Sequence, residues 1–254
     1  MLLNQHNYPK IKFAPVKLLN SAFGRFLKGS IIIALCIKYG FFKIIKKYVV
    51  RKKNIIYVIS SIVLLSFLFI KNGAIYCKFK DPVTSFCVVV AHLSVGFYEE
   101  LLFRVFFTGY ILKYFKTKDN DNSIIKALII SSCVFGVFHL QNGFSIETYA
   151  QIIYAGFLGV SFFVLYLKSG NIVLPMILHA LINISGSLFV NPEINNAGFI
   201  NRIGNGIDSI IVTLFLAIIA FVILKQDIEV RRKTSLKVPP KRLYLKKKRL
   251  GCST

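Results

Sequence analysis

The sequence predicts an all-α protein, a polytopic bundle of transmembrane helices, on three observations. The chain of 254 residues is 55% hydrophobic, and several of its apolar stretches approach the roughly 20 residues that cross a hydrocarbon core of about 30 Å. No barrel-like alternation runs through those stretches, so helices are the form in which their backbone groups are satisfied in lipid. The basic residues crowd the gaps between the apolar stretches, as the positive-inside rule expects.

Six spans follow in order, at about 55–70, 83–112, 124–141, 149–167, 172–190 and 207–224. One or two marginal segments join them, chiefly 29–42, which Lys38 interrupts and which reads as interfacial or re-entrant. The stretch 83–112 is too long for one simple crossing, so its C-terminal part is expected to project into the headgroup layer. The chain thus divides into a basic N-terminal region with a marginal membrane segment (1–53), a transmembrane domain (54–224, its motifs within 83–190) and a basic tail (225–254). No secretory signal peptide is expected at the basic, broken N-terminus.

A net charge of +23 first suggests nucleic acid, but its distribution points to the membrane surface. The tail from Lys225 holds eleven Lys and Arg against Asp227 and Glu229, a composition suited to anionic lipid headgroups on the cytoplasmic side. With the tail inside, the basic loops 43–53 and 113–126 also fall inside; Lys71, Lys78 and Lys80 strain the scheme. Cys36, Cys77, Cys87, Cys133 and Cys252 are scattered and form no CxxC pair, which predicts neither a disulfide framework nor a Cys-based metal site.

Within the spans, ionisable groups concentrate at one place. Glu99, Glu100 and Arg104 lie in a run of Val, Leu and Phe where a charge costs at least about 2.5 kcal/mol, and such groups mark functional sites by default. Glu100 and Arg104 are four apart with the acid first, the better order for a helical ion pair. That pair leaves Glu99, about 100° round the helix, free to face a cavity. Three of the four histidines, His92, His139 and His179, also fall in spans. Phe135 sits one turn before His139, and Asn183 one turn after His179 on the same face. At about 1.5 Å per residue, Glu99, His139 and His179 lie roughly 21, 20 and 16 Å from the inner lysines Lys113, Lys126 and Lys168, so three helices bring them to a similar depth. Pro175 makes the third estimate the weakest. His92, seven residues before Glu99, reads mainly as a satisfied core residue.

The blocks Glu99–Glu100–x–x–x–Arg104, Phe135–x–x–x–His139 and His179–x–x–x–Asn183, in this order on successive segments, resemble the CAAX protease and bacteriocin-processing enzyme family, the Abi-type intramembrane glutamic endopeptidases. The resemblance covers about 83–190. It implies that Glu99 is the general base that activates a water with His139, and that His179 and Asn183 stabilise the oxyanion. Glu100 and Arg104 complete the first block as supporting residues. It implies no cofactor and no metal, and a membrane-associated peptide or protein as substrate.

The chemistry is coherent in its own right: a carboxylate in a low-dielectric cavity suits a base that takes and returns a proton. No HExxH is present. Two alternatives stand beside this reading. One is a zinc-dependent membrane protease with Glu99, His139 and His179 as ligands. The other is a non-enzymatic membrane immunity or scaffold protein. Residue usage rich in Lys, Ile, Asn and Phe suggests a bacterial, multi-pass protein of the cytoplasmic membrane. Bacteriocin or signalling-peptide maturation, or self-immunity, are then the roles that the resemblance implies.

Overall fold

The computed structural model describes residues 14–49, 81–115, 120–188 and 199–237, with Ile59, Ile62 and Ser66 in addition. Apart from those three residues, the expected span at 55–70, with the lysines at 71, 78 and 80 and the last seventeen residues of the tail, lies outside the described residues. Every regular element described is helical: α1 (Ala14–Tyr39), α2 (Phe41–Lys46), α3 (Pro82–Glu100), a π-helical stretch (Leu101–Phe107), α4 (Thr108–Tyr114), α5 (Asn120–Phe138), a 3₁₀ turn (His139–Asn142), α6 (Ile146–Ser169), α7 (Val173–Leu188) and α8 (Phe199–Lys237).

Five of these segments are long and apolar enough to cross a membrane: Pro15–Tyr39, Pro82–Tyr114, Asp121–Asn142, Ile146–Ser169 and Gly206–Val230. Val173–Ser187 is apolar but shorter. The expected spans that fall on described residues are therefore present as helices, with α7 below full crossing length. The N-terminal segment differs from its expectation. Lys38 stands in the last turn of α1 rather than in its middle, because the helix begins fifteen residues before Gly29.

Local chemistry sets the helix ends. Asp81 caps α3 by accepting the Thr84 N–H at 2.9 Å, and Pro82 follows where its missing N–H leaves no gap. Ser145 caps α6 in the same way, and Gly170 ends it with φ of 66°, a conformation that glycine adopts without steric penalty. Asn171 Oδ1 accepts the Val173 N–H at 2.9 Å to start α7. Pro175 then falls within the first turn of α7, where it does not break the helix and the depth estimate for His179 is undisturbed.

The helices pack through small residues, as expected where lipid offers no hydrophobic drive between them. α7 runs antiparallel to α3, and a Cβ on Gly96 would collide with the Met176 carbonyl and lie 3.2 Å from the Ala180 nitrogen. α6 runs antiparallel to α5, with Gly136 against Gly156 and Gly159 against Ser132. α1 runs alongside α3 in the same direction: Leu18 packs by Val88, Phe26 meets the Phe97 ring at 5.5 Å, and the Tyr39 carbonyl accepts from Lys113 Nζ at 3.3 Å. The main core joins Leu101, Val105 and Leu112 to Phe162, Phe163 and Leu165 of α6. Two ion pairs fasten α8: Lys168, 2% exposed, with Asp227, and Arg232 with Asp121 at 2.9 Å.

Candidate active site

The polar centre of the bundle forms where α3 gives way to the π-helical stretch. Glu99 and Glu100 are the last residues of α3, and Arg104 lies inside the π segment. Such widened turns are rare and frequently occur at functional sites. Thr108 Oγ donates to the Phe103 carbonyl at 2.9 Å, satisfying an acceptor in the altered ladder. The close Gly96 seam brings α7 near enough for His179 to reach the acids.

Glu100 and Arg104 are fully buried and ion-paired, with Arg104 Nε donating to Glu100 Oε2 at 2.9 Å. The other oxygen, Oε1, accepts from His179 Nδ1 at 2.9 Å. The same carboxylate therefore holds two cationic or potentially cationic groups, one on its own helix and one on α7. The two terminal nitrogens of Arg104 make no hydrogen bond, and the guanidinium instead lies over the Phe135 ring, 4.6 Å from its centre.

Phe135 is the hub beneath the site. Its ring meets His139 edge-on at 5.1 Å and His179 edge-on at 5.8 Å. Its carbonyl accepts from His139 Nδ1 at 2.9 Å. A carbonyl can only accept, so this bond places a proton on Nδ1 and leaves Nε2 of the neutral ring with its lone pair. Phe162 stacks on the other side of His179 at 5.7 Å.

Glu99 stands apart from these pairings. It is 8% exposed, its Oε2 has no hydrogen-bond partner, and that atom lies 3.8 Å from His179 Nε2. Glu99, His139, His179 and Asn183 all line one cavity of about 890 Å³, while Glu100 and Arg104 lie behind its wall. The sequence-predicted residues are thus brought together, split between a cavity-facing set and a supporting pair. His139 is placed differently from the expectation, at the first position of the 3₁₀ turn rather than within a straight helix. Among the described residues, no group of three His, Cys, Asp or Glu side chains is arranged to hold a metal ion.

Other residues also line the cavity, among them His92, which the sequence reads mainly as a core residue, and several that sequence reasoning missed. His92 Nε2 and Ser187 Oγ are 2.7 Å apart, and both line it. So do Ser21, Arg25 and Lys28 of α1. Their spacing of four and three residues puts them on one helical face, a signal that is visible only once α1 is allowed to begin before Gly29.

No curated protein and no solved structure matches the chain. The family comparison agrees with the motif blocks: residues 82–185, which hold Glu99, His139, His179 and Asn183, match the model of the Rce1-like type II CAAX prenyl endopeptidases, and this stretch is a domain of that peptidase family.

Proposed function

We propose that the protein is an intramembrane endopeptidase that hydrolyses a peptide bond of a membrane-associated peptide or protein with a water activated by Glu99 and His139. One observation carries the reading: a buried Glu99 carboxylate, whose Oε2 makes no hydrogen bond, opens on the same cavity as two histidines, each fixed by a bond to its Nδ1. A carboxylate kept out of bulk water, with an oxygen free of hydrogen bonds, is poised to accept a proton. The lone pair on His139 Nε2 orients the same water.

The attack would place negative charge on the carbonyl oxygen, and His179 and Asn183 are the donors for it. Since His179 Nδ1–H is committed to Glu100, donation from Nε2 requires both ring nitrogens to carry protons. Glu100 is then the counter-charge for the resulting imidazolium. Donors of this kind contribute about 3 kcal/mol each to lowering the barrier. The proton taken by Glu99 passes to the leaving amine as the tetrahedral intermediate collapses.

The five apolar helices support a multi-pass membrane protein. The basic loops and tail favour a cytoplasmic C-terminus, held near anionic headgroups. A role in bacteriocin or signalling-peptide maturation, or in self-immunity, fits this location. The test compares purified, reconstituted wild type and Glu99→Ala on a peptide that the wild type cleaves. Loss of cleavage, with helix content retained, is expected. Full activity of Glu99→Ala would sink the proposal, and activity that zinc restores after chelation would replace it with a metal-dependent mechanism.

A further inference from the structure

The family match begins at residue 82, yet part of the cavity wall is built from α1, well before it. α1 turns Arg25 and Lys28 towards the cavity. Among the described residues, neither makes an ion pair, and Glu99 is the only carboxylate that lines the cavity. Beside them lies the bonded pair His92–Ser187, whose remaining ring nitrogen, His92 Nδ1, is buried without a partner. Arg25 is level with this pair, because Gly29, one turn further along α1, packs on Phe97. Beside Glu99 and His179, the α1 side of the cavity therefore carries positive charge and, among the described residues, no carboxylate of its own.

We infer that Arg25 and Lys28, with His92 beside them, form a specificity subsite that holds a carboxylate of the peptide substrate. The inference rests on the peptidase reading of Glu99. A carboxylate supplies the negative charge that the wall lacks, and Arg presents a planar fork that matches it with two parallel bonds. A peptide offers this group in two ways, as its C-terminus or as an Asp or Glu side chain.

The test uses the full-length protein reconstituted in liposomes and three degenerate peptide sets, with products identified by mass spectrometry. One set has free C-termini and no acidic residues, one has amidated C-termini with one Asp or Glu, and one is amidated and without acids. Wild type is expected to cleave at least one carboxylate-bearing set roughly tenfold better in kcat/KM than the neutral set. Whichever set is preferred identifies the source of the carboxylate. Arg25→Gln is expected to reduce that preference ratio towards one, and Arg25→Lys to keep part of it. Lys17→Gln, on an exposed part of the same helix outside the cavity, is expected to keep it whole.

Because the readout is a ratio within one preparation, a partly unfolded variant does not mimic the effect. Equal cleavage of the three sets by wild type, or a preference unchanged in Arg25→Gln, would overturn the subsite and leave the peptidase reading standing. Cleavage that persists in Glu99→Ala would overturn the peptidase reading instead.

Discussion

Glu100 binds His179 across the α3–α7 interface at 2.9 Å while holding Arg104 on its own helix at the same distance. Glu99, one residue away, makes no hydrogen bond through Oε2, which lies 3.8 Å from His179 Nε2. Two adjacent and chemically identical side chains are thus expected to respond to mutation in opposite ways.

Glu99→Gln is expected to lower kcat by roughly 10²–10⁴-fold, the range for removing a general base, with little change in stability. Glu100→Gln is expected to destabilise by about 3–5 kcal/mol, because it leaves a fully buried Arg104 without its counter-charge. Thermal unfolding in detergent beside a cleavage assay separates the two. If both variants stay as stable as wild type, the supporting role of Glu100 is refuted.

Phe135 is the contact that the Arg104 guanidinium has in place of hydrogen bonds to its terminal nitrogens. Phe135→Leu keeps an apolar side chain but removes the π face, with an expected loss of about 2 kcal/mol. Phe135→Tyr keeps the ring, so its unfolding temperature should lie nearer to wild type than that of the Leu variant. The reverse order would show that volume, not the ring face, matters at this position.

Gly96 sets the distance between the acids and His179. Gly96→Ala places a Cβ against the Met176 carbonyl, so α7 must move outward. The expected stability loss is about 1–3 kcal/mol. The expected activity loss is larger, about 10²-fold, since a shift near 1 Å uncouples Glu100 from His179 and displaces Asn183. A variant with wild-type turnover would mean that the seam does not position the site.

The cap at Asp81 predicts a pH dependence away from the membrane centre. Its bonds to Thr84 hold the carboxyl below the ordinary value of 3.8. The folded form is thus the weaker proton binder, and its contribution to stability is complete above that value and lost as pH falls through the lower one. The gap in unfolding temperature between wild type and Asp81→Ala should be open at pH 7 and narrow near pH 3. A gap that does not change with pH would mean that the cap acts without its charge.

The division between Glu99 and Glu100 was legible in sequence because it rests on short-range spacing: a partner four residues on marks the supporting acid and leaves its neighbour over. The meeting of three helices was legible too, from motif order and matched depth. The His179–Glu100 bond was not, since it depends on the register of α3 against α7, which the Gly96 seam fixes across some eighty residues of chain. The π-helical stretch left no mark in composition. Arg25 and Lys28 were hidden by hydropathy itself, because cations that line a cavity make the helix that carries them look too polar to be one.

The widened turn after Glu100 also sets the rotational frame of the helix on either side of it. The π-helical stretch 101–107 is wound more loosely than an α-helical ladder, so it changes the angular register between the residues before it and those after it. Downstream of it, Gly109 seats the Phe41 ring and Leu112 joins the core; upstream, Glu99 and Glu100 face the cavity and α7. Deleting one residue in this stretch would restore a regular ladder and swing one half against the other by about 100°. The helix would be more regular, and the acids and the Phe41 contact could no longer be in register together. Here the frame of the cavity-facing acids and the frame of the scaffold are reconciled by a local change in helical winding.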